Sequence, residues 1–587
     1  MLGGAIAAKT LPIGGIARRR RVAKLSRLAQ ELVFTRSELP LYLEVRLSGL
    51  RGGWADTMAG LLFDDVDRWA RDTPDAVAIR DGNDASLATT YRELSERSNQ
   101  VAHLLVRLGV LPGDRVAISL PKGAAAIAAM LGTAKAGAAY VPIDPDSPAA
   151  RIALVLTAAE PSVVIADASA MTTVEAAHVA NPSASLGWVD GDAPQWPEEP
   201  TFSAEDVLRQ SVEPPPRPSI DDDALAHVLF TSGSTGVPKG VMITHANVLA
   251  YIDWVTEHFG YVPEDEISGH SPLHFDLSTM DIYGTFAAGA TLHPVPKRVN
   301  VNPADLAAWI RDRELTQWFS VPSALNHLIR FEELDGKDFP ALKRLMWCGE
   351  VLPTPTLMSL MTALPDVEFT NLYGPTEATI ASSWYRVPSA PTDPTESIPI
   401  GVPCAGEQLA VFTEDGSTAP HGEIGELYIE GVGLSPGYWR DEAKTSAAFR
   451  TDLVAGRRLY RTGDLAYTTE EGHVMFVGRA DSQIKSRGHR IELGEIEVAL
   501  QTLDELSAAA VVALDIDHID GSAIAAAFCA PEPLKPARVA KALSALVPKY
   551  MLPHRWLQVD ELPKNVNGKV DRPALRATFE EREKVRT

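Results

Sequence analysis

A regular alternation of short apolar segments with helix-forming stretches begins near residue 76 and constrains the fold of this 587-residue chain most strongly. The segments 76–80, 115–120 and 139–142 have the length and composition of buried strands. The stretches 91–108 and 123–136 between them are helical in character. Strands separated by helices of this length predict parallel sheets with helices packed on their faces. The expected fold class is therefore α/β.

The same pattern divides the chain into three parts. Residues 58–480 carry the alternation, and after about Asp481 it gives way to short strands and two or three helices. We therefore expect a large core domain of parallel-rich sheets (58–480) and a small, mobile α+β C-terminal domain (481–587). A polar, proline-rich stretch at 181–223 is predicted to be a surface connection.

Residues 1–57 differ from the rest, because small apolar residues are followed there by a basic cluster. A secretory signal has the opposite order, so this interpretation is excluded. The alternatives are a poorly ordered extension or a basic arm that touches a membrane or an acidic partner. The cluster consists of Arg18, Arg19, Arg20, Arg21, Lys24 and Arg27.

The overall charge is acidic, with 77 Asp and Glu against 54 Lys and Arg and a formal net charge of −23. This argues against nucleic acid as the main partner, because phosphate contacts need clustered basic residues. Cys348, Cys404 and Cys529 are far apart and offer no disulfide framework, which favours a reducing cytoplasm. No apolar run reaches the length of a spanning helix, and the apolar segment 508–514 is predicted to be a buried strand. We expect a cytoplasmic protein without a membrane partner.

A glycine- and hydroxyl-rich run follows an apolar strand at 226–230. Its glycines permit tight turns whose backbone N–H groups point inward, and its lysine adds a fixed positive charge. Such a loop can wrap a polyphosphate, although it is neither a Walker A loop nor a dinucleotide fingerprint. A surface turn is the alternative interpretation. The residues that would contact phosphate are Thr231, Ser232, Gly233, Ser234, Thr235, Gly236 and Lys239.

Further runs follow in a fixed order along the chain. They are Thr90-Tyr-Arg-Glu-Leu94, Ala136-Gly-Ala-Ala-Tyr-Val-Pro-Ile-Asp144, Asn371-Leu-Tyr-Gly-Pro-Thr-Glu377, Gly425-Glu-Leu-Tyr-Ile-Glu430, Tyr460-Arg-Thr-Gly-Asp-Leu465, Gly478-Arg-Ala-Asp481, Arg487-Gly-His-Arg-Ile-Glu492 and Leu562-Pro-Lys-Asn-Val-Asn-Gly-Lys-Val-Asp-Arg572. With the phosphate loop, these runs resemble the core motifs of the AMP-forming adenylating superfamily. That superfamily includes acyl-CoA synthetases, luciferases and the adenylation domains of nonribosomal peptide synthetases. The resemblance covers about residues 58–575 and is closest to stand-alone amino-acid adenylation enzymes.

The resemblance implies an ATP site in which a substrate carboxylate attacks the α-phosphate and expels pyrophosphate. Such an enzyme supplies no nucleophile and must instead position two anions and neutralise charge on phosphorus. Thr376 would contact the α-phosphate, and Glu377 would hold Mg²⁺, a hard cation that prefers oxygen ligands. By the same resemblance, the glycine- and hydroxyl-rich loop would hold the β- and γ-phosphates, Tyr373 would lie against the adenine, and Asp464, helped by Arg479, would bind the ribose hydroxyls. The residues that the resemblance assigns to the nucleotide besides the loop and Thr376 are Asn371, Tyr373, Gly374, Asp464 and Arg479. Taken singly, Asp464 could be a turn carboxylate and Tyr373 a core aromatic.

Lys569 is, by the same resemblance, the catalytic lysine of the small domain. Its ammonium would bridge the substrate carboxylate and the α-phosphate in the transition state. A solvated surface lysine is the alternative for an isolated residue. Asp481 matches the hinge about which the small domain would rotate between adenylation and thioester formation.

The run around Asp276 resembles a core motif of the amino-acid-activating branch, in which the aspartate pairs with the substrate α-ammonium. A buried carboxylate needs such a cation, although capping of the following helix is the alternative role. The resemblance implies an uncharged, shallow side-chain pocket. It is lined by Leu277, Met280, Ser320, Met346, Cys348, Leu372, Ile380 and Ala381, and the amino-acid site also includes Asp276 and Gly349.

The function expected from the sequence is ATP- and Mg²⁺-dependent activation of a small neutral α-amino acid, alanine before serine, glycine or cysteine. The aminoacyl group would then pass to the phosphopantetheine thiol of a separate carrier protein in natural-product biosynthesis, because the chain ends soon after Lys569 without a carrier domain of its own. One alternative is an acid–CoA ligase, and another is a non-catalytic binding or scaffold protein of the same fold.

Overall fold

The alternation of strands and helices predicted from the sequence is present in the computed structural model of the protein. The structure describes residues 60–584 except 192–195, 197–198, 234–235, 332–333, 482, 515–521 and 565–569. The predicted extension at 1–57 and Met58 therefore lie outside the described residues. So do Ser234, Thr235 and Lys569.

The helices of the described residues are spread along the whole of this part of the chain. In chain order they are α1 (Asp64–Asp72), α2 (Tyr91–Arg107), α3 (Ala124–Lys135), α4 (Ala149–Ala159), α5 (Met171–Ala180), α6 (Ala204–Leu208), α7 (His245–Phe259), α8 (Leu277–Ala288), α9 (Pro303–Asp312), α10 (Pro322–Phe331), α11 (Thr354–Ala363), α12 (Glu442–Ala448), α13 (Leu493–Gln501), α14 (Pro536–Leu543) and α15 (Arg572–Lys584).

The strands alternate with these helices up to α11 and then follow one another more closely. They are β1 (Val77–Arg80), β2 (Ala88–Thr90), β3 (Arg115–Ser119), β4 (Ala139–Pro142), β5 (Val163–Ala166), β6 (Ser185–Gly187), β7 (Leu225–Thr231), β8 (Lys239–Thr244), β9 (Glu266–Gly269), β10 (Thr291–Pro294), β11 (Gln317–Ser320), β12 (Arg344–Trp347), β13 (Glu368–Tyr373), β14 (Ser383–Arg386), β15 (Val402–Pro403), β16 (Glu407–Phe412), β17 (Gly425–Gly431), β18 (Phe449–Arg450), β19 (Leu459–Thr468), β20 (Val474–Arg479), β21 (Gln483–Ser486), β22 (His489–Glu492), β23 (Ala508–Leu514), β24 (Ala523–Cys529) and β25 (Arg555–Gln558).

Two large sheets form the core domain of the described chain. One has the order β15-β14-β13-β12-β11-β9-β10-β1-β2, and the other has the order β6-β5-β3-β4-β7-β8. Most neighbours in both sheets are parallel, and the antiparallel pairs lie at the edges. This arrangement confirms the α/β fold class. A third sheet, β16-β17-β19-β18 with β20 on β19, is antiparallel and follows the two large ones in sequence.

One buried hydrophobic cluster joins both large sheets, which explains why they form a common core. It contains aromatic and aliphatic residues from elements that are distant in sequence, among them Tyr91, Tyr140 and Phe286. Local signals set the ends of individual helices. Thr90, for example, caps α2 in a capping box with Glu93, so that two backbone N–H groups at the helix start have acceptors.

The small C-terminal domain consists of the hairpin β21-β22, the sheet β23-β24-β25 and the helices α13, α14 and α15. The predicted buried strand at 508–514 is β23, which pairs with β24 along its whole length. The expectation of short strands with two or three helices is therefore confirmed for this part of the chain.

The stretch 181–223 is more ordered than the predicted surface connection. It contains β6, which extends the second large sheet beside β5, and the short helix α6. Phe202 and Val207 of this stretch are buried in the common core. The prolines and charges dominated the sequence signal, whereas the few apolar residues between them are the ones that pack.

Candidate active site

The predicted phosphate loop lies between β7 and β8, at the end of the second large sheet. Two of its glycines are required by geometry. Gly236 has a φ of +79°, and a Cβ on Gly233 would come within 2.1 Å of the Val237 carbonyl oxygen. The Lys239 side chain is largely buried, which keeps its ammonium close to the loop. Thr231, Ser232, Gly233, Gly236 and Lys239 are thus placed around one turn, as the sequence predicts.

A strained turn follows β13 and holds the next predicted residues. Tyr373 ends the strand, and the consecutive residues Thr379 and Ile380 have φ values of +56° and +73°. Positive φ is costly for a β-branched residue, so this turn is maintained by its surroundings. Gly374 is essential to it, because a Cβ there would lie 2.5 Å from Ala381 Cα. The turn therefore fixes Thr376 and Glu377 tightly below the strand end.

A chain of charged and hydroxyl groups links the predicted ribose site to the predicted hinge. The buried Tyr373 hydroxyl donates to Asp464 Oδ2, and Arg479 Nη1 donates to Asp464 Oδ1 at 2.7 Å. Arg479 also forms an ion pair with Asp481 at 2.6 Å. The β19-β20 register places Asp464 opposite Arg479, which explains their proximity. Asp464, Arg479 and Tyr373 are therefore brought together as the resemblance implies.

Glu377 is completely buried and carries two strong interactions. Its Oε2 accepts from Arg490 Nη1 at 2.7 Å, and its Oε1 accepts from the Tyr438 hydroxyl at 2.8 Å. Burial alone would raise the pKa of this carboxyl, but the charges of Arg490 and Lys239 lower it to about 2. Glu377 is thus an ionised carboxylate, which is the form that a metal ion requires.

The surroundings of Glu377 fit a magnesium ion that takes most of its ligands from a substrate. No cluster of three or more His, Cys, Asp or Glu that could hold a metal occurs in the described part of the chain. Mg²⁺ is commonly bound through one or two carboxylates together with phosphate oxygens and waters. A single ionised carboxylate near the phosphate loop is consistent with that mode of binding.

The small domain reaches into the phosphate loop with two carboxylates. Gly233 N donates to Glu495 Oε2 at 3.1 Å, and Lys239 Nζ lies 3.5 Å from Glu492 Oε1. The Ser232 hydroxyl donates to the Arg490 carbonyl at 2.7 Å. Loop and small domain are therefore in direct contact around the residues predicted to bind phosphate.

Three parallel strands that carry residues of the predicted amino-acid pocket end side by side. β11, β12 and β13 are neighbours, and their register sets Ser320 beside Trp347 and Trp347 beside Asn371. Ligand sites in parallel sheets occur at this carboxyl edge. Helix α8 carries Leu277 and Met280, and the turn after β13 carries Ile380 and Ala381. The residues predicted for this site are buried except for Gly349; the buried ones are Asp276, Leu277, Met280, Ser320, Met346, Cys348, Leu372, Ile380 and Ala381.

The polar side chains of this pocket already have partners within the protein. Ser320 Oγ accepts from Trp318 Nε1 at 2.9 Å, and the Cys348 thiol donates to the Ile380 carbonyl at 3.8 Å. Burial raises the pKa of Cys348 to about 12, so the thiol stays protonated. Met280 Sδ accepts from the Tyr251 hydroxyl at 3.4 Å. The pocket therefore offers an apolar lining.

Asp276 joins the two halves of the site. It precedes α8 but makes no side-chain capping bond; instead its Oδ2 accepts from the Thr376 hydroxyl at 2.7 Å. Asp276 is buried and forms no ion pair with any described residue. Burial raises the pKa of its carboxyl to about 6, which is the expected effect of a missing counter-charge. The capping interpretation is therefore wrong, and the carboxylate lies beside the predicted α-phosphate contact.

Of the remaining predicted residues, the structure describes Asn371 but not the other three. Asn371 lies on β13, where its side-chain amide donates to the Pro399 carbonyl at 2.8 Å rather than to a neighbour in the site. Lys569, Ser234 and Thr235 lie outside the described residues.

In the part of the chain that is described, no helix is both long and apolar enough to cross a membrane.

Sequence reasoning assigned no role to Tyr438, Arg490, Glu492 and Glu495, although all four contact the predicted nucleotide residues. Arg490 and Glu492 lie in a run that carried the resemblance, so their position was a usable signal. Tyr438 reaches Glu377 because residues 437–439 pair with β8 through backbone bonds. That pairing is a long-range contact without a local pattern.

Comparisons with known proteins agree with this architecture. Residues 66–439 match the family model of AMP-binding enzymes, and residues 495–569 match that of the AMP-binding enzyme C-terminal domain. An L-proline--[L-prolyl-carrier protein] ligase of Pseudomonas fluorescens is 32% identical over 511 residues, which are 86% of this chain and 96% of that protein. Tyrocidine synthase 3 of Brevibacillus parabrevis is 34% identical over 88% of this chain, which corresponds to only 8% of the synthase.

Among solved structures, the Vibrio cholerae adenylation domain AlmE in complex with glycyl-adenosine-5'-phosphate is similar, with a TM-score of 0.73. It shares 25% sequence identity, and the match covers 89% of this chain and 98% of that one. Fold, site and comparisons together define an AMP-forming ligase. The chain belongs to the AMP-binding enzyme family.

Proposed function

We propose that this enzyme activates a small neutral α-amino acid with ATP and then loads it on the phosphopantetheine thiol of a carrier protein. In the first step a carboxylate oxygen of the amino acid forms a bond to the α-phosphorus of ATP. The bond between this phosphorus and the pyrophosphate leaving group breaks, which gives aminoacyl-AMP and pyrophosphate. In the second step the thiol displaces AMP and forms a thioester.

The observation that carries this proposal is the buried, unpaired carboxylate of Asp276 beside Thr376. A buried carboxylate is energetically unfavourable unless a cation compensates its charge, and the α-ammonium of an amino acid is such a cation. A carboxylic acid without an amino group would leave the Asp276 carboxylate without a counter-charge. The 2.7 Å bond from Thr376 to Asp276 supports this proposal, because an ammonium bound by Asp276 would lie next to the predicted α-phosphate contact and both reactants would be held together.

The residues of the site divide the work by charge. Ser232, Gly233 and Lys239 would donate to the β- and γ-phosphates, whereas Asp464 would bind the ribose and Tyr373 the adenine. Lys569 remains assigned to the transition state by resemblance alone. Glu377 would hold Mg²⁺, which neutralises phosphate charge when bound.

The amino acid is proposed from the size and polarity of the pocket. Met280 and Met346 are buried and bulky, and they would make the proposed pocket shallow, which disfavours aromatic side chains. Ser320 and Cys348 already bond to the protein itself, which makes them weak partners for a serine or cysteine side chain. Alanine is therefore favoured, followed by serine, glycine and cysteine. Proline is a second candidate, because it is compact and apolar and one relative is named for it.

ATP–pyrophosphate exchange measured over all common L- and D-amino acids tests this proposal. We expect strong exchange with alanine or another small neutral amino acid and none with Asp, Glu, Lys or Arg, whose charges would lose hydration without a partner. Exchange with carboxylic acids that lack an amino group, followed by release of an acyl-CoA, would establish the acid–CoA ligase instead. Absence of exchange with every substrate would support a non-catalytic protein.

A further inference from the structure

Lys122 connects the two large sheets at a point that leads directly to Asp276. It follows β3 of the second large sheet, and its ammonium donates to consecutive backbone carbonyls at the end of β9 in the first. The acceptors are the carbonyl oxygens of Gly269, of His270 at 2.7 Å and of Ser271 at 3.2 Å. An ammonium has three N–H donors, so Lys122 uses all of them on one short piece of backbone.

Asp281 of α8 is the counter-charge of this ammonium. Burial lowers the pKa of Lys122, and the charge of Asp281 opposes this effect. Burial raises the pKa of the Asp281 carboxyl, whereas the charge of Lys122 and the N–H groups of Ser271 and His270 oppose the rise.

The cation and the anion act on the same two peptide units. The His270 N–H shares a peptide unit with the Gly269 carbonyl, and the Ser271 N–H shares one with the His270 carbonyl. Both units therefore have Lys122 at their oxygen atoms and Asp281 on the side of their N–H groups. This is the favourable orientation of a peptide dipole between two charges, so the ion pair clamps the backbone between its partners.

The clamped backbone begins the loop that carries Asp276. This 269–276 loop runs from the end of β9 to the start of α8. Its second half is fixed from within, because Phe275 N donates to the Pro272 carbonyl at 3.0 Å and the Ser278 hydroxyl donates to the Phe275 carbonyl at 2.7 Å. At its far end, Asp276 accepts from Thr376. A shift at the clamped end would therefore be transmitted to the Asp276 carboxylate.

We propose that Lys122 and Asp281 are positioning residues for the amino-acid substrate, because they fix the 269–276 loop in the place where the Asp276 carboxylate meets the α-ammonium. The inference rests on the proposed function, which assigns the ammonium to Asp276. Neither residue touches the substrate. Because misplacing a group by about 1 Å can cost about 100-fold, the clamp acts on the affinity for the amino acid. The residues proposed to bind ATP lie on other elements.

Steady-state kinetics of ATP–pyrophosphate exchange in the full chain test this role, with the amino acid that gives the fastest exchange in the screen above. Lys122→Met keeps the length of the side chain but removes the ammonium. We expect the KM for the amino acid to rise about tenfold or more and the KM for ATP to change less than about twofold. Lys122→Arg keeps the charge and several donors, so its KM for the amino acid should stay within about threefold of the wild type.

The double variant Lys122→Met/Asp281→Asn separates positioning from stability. Lys122→Met alone should lower the melting temperature, because Asp281 loses its counter-charge, and neutralising both partners should restore it. The KM of the double variant for the amino acid should stay raised about tenfold, because the peptide units remain unclamped. Lys135→Met is the matched control. Lys135 is a buried lysine of α3 that donates to Asp67 and Asn99 at 2.6 Å, so its loss should lower the melting temperature and leave both KM values unchanged.

The outcomes separate this inference from the proposed function. An unchanged KM for the amino acid in the double variant, or an equal rise of the KM values for amino acid and ATP, would show that the ion pair serves only the fold. A double variant that fails to fold would show the same. In each of these cases amino-acid-dependent exchange by the wild type would still uphold the proposed function. Absence of amino-acid-dependent exchange in the wild type would overturn both.

Discussion

In the function proposed above, a single carboxylate selects the kind of substrate that the site accepts. Asp276 is buried, bonds to Thr376 and has no cationic partner among the described residues. A protein that leaves a carboxylate in this state loses stability unless a ligand compensates for it. At the residue scale, this environment supports the proposal that Asp276 binds the ammonium group of the substrate.

Replacing Asp276 by asparagine tests the hypothesis that its carboxylate binds the ammonium group of the substrate. The neutral amide keeps the shape and the acceptor for Thr376 but cannot pair with an ammonium. We expect kcat/KM for the amino acid in exchange to fall by about 10²–10³, which corresponds to the loss of a buried charge pair. The melting temperature should stay the same or rise, because an uncompensated buried charge is removed. A parallel fall in stability and activity would indicate a structural role instead.

The raised pKa of Asp276, about 6, predicts a pH dependence of its own. Below pH 6 the free enzyme carries a protonated, neutral Asp276, and amino-acid binding loses its counter-charge. We therefore expect kcat/KM for the amino acid to be flat above about pH 7 and to fall about tenfold per pH unit below 6, since this parameter reports groups of the free enzyme. The Asp276→Asn variant should lack the inflection. An identical profile in wild type and variant would assign the titration to another group.

Met280→Ala should enlarge the pocket and change its preference. Met280 is fully buried beside Tyr251, so truncation opens space while costing about 2–5 kcal/mol of stability. The ratio of kcat/KM for valine or leucine to that for alanine should rise about 10- to 100-fold, because each methylene is worth about 1–3 kcal/mol. Met130→Ala, equally buried on α3, is the control: it should destabilise without changing the ratio.

At the scale of elements, the turn after β13 is the part of the site that tolerates least change. Gly374 has the Cα of Ala381 so close that a methyl group would collide with backbone. Gly374→Ala should therefore displace Thr376 and Glu377 and reduce exchange activity at least 100-fold, with a clear drop in melting temperature. Gly123→Ala is the comparison, since its Cβ would meet nothing within 4 Å. Normal activity of Gly374→Ala would show that the turn can relax.

Helices and strands whose apolar residues recur at a regular spacing were predictable from the sequence, whereas the contacts between these elements were not. The helix expected at 91–108 and the strands expected at 76–80 and 508–514 are present within one or two residues. The stretch 181–223 was misjudged because its packing depends on isolated residues such as Phe202 rather than on a repeat. Periodicity reports local burial, whereas sheet order depends on partners far along the chain.

The same division applies to the site. Motif residues such as Tyr373, Asp464 and Arg479 were found because they occur in short runs, and the structure brings them together. The placement of Arg490 on Glu377 spans 113 positions and depends on how the small domain packs on the core domain. The run at 487–492 marked Arg490 as a motif residue, but no local pattern encodes its contact with Glu377, which became visible only in three dimensions.

At the scale of the whole molecule, residues 1–57 should not be needed for the proposed activity. Every residue assigned to the nucleotide or to the amino acid lies beyond residue 230, and the core begins to pack at Leu61 and Leu62. We therefore expect a chain that starts at Met58 to keep its melting temperature and its exchange rate within a factor of two of the full chain. Differential scanning calorimetry and the exchange assay measure these quantities.

The basic cluster at 18–27 has no counterpart in the proposed chemistry, but an acidic carrier protein could be attracted to it by long-range electrostatics. Loading of the carrier should then slow in the shortened chain at low salt while exchange stays unchanged, and the replacement of the six basic residues by glutamine in the full chain should have the same effect. A loss of exchange or of thermal stability on shortening would instead show that residues 1–57 are part of the catalytic fold.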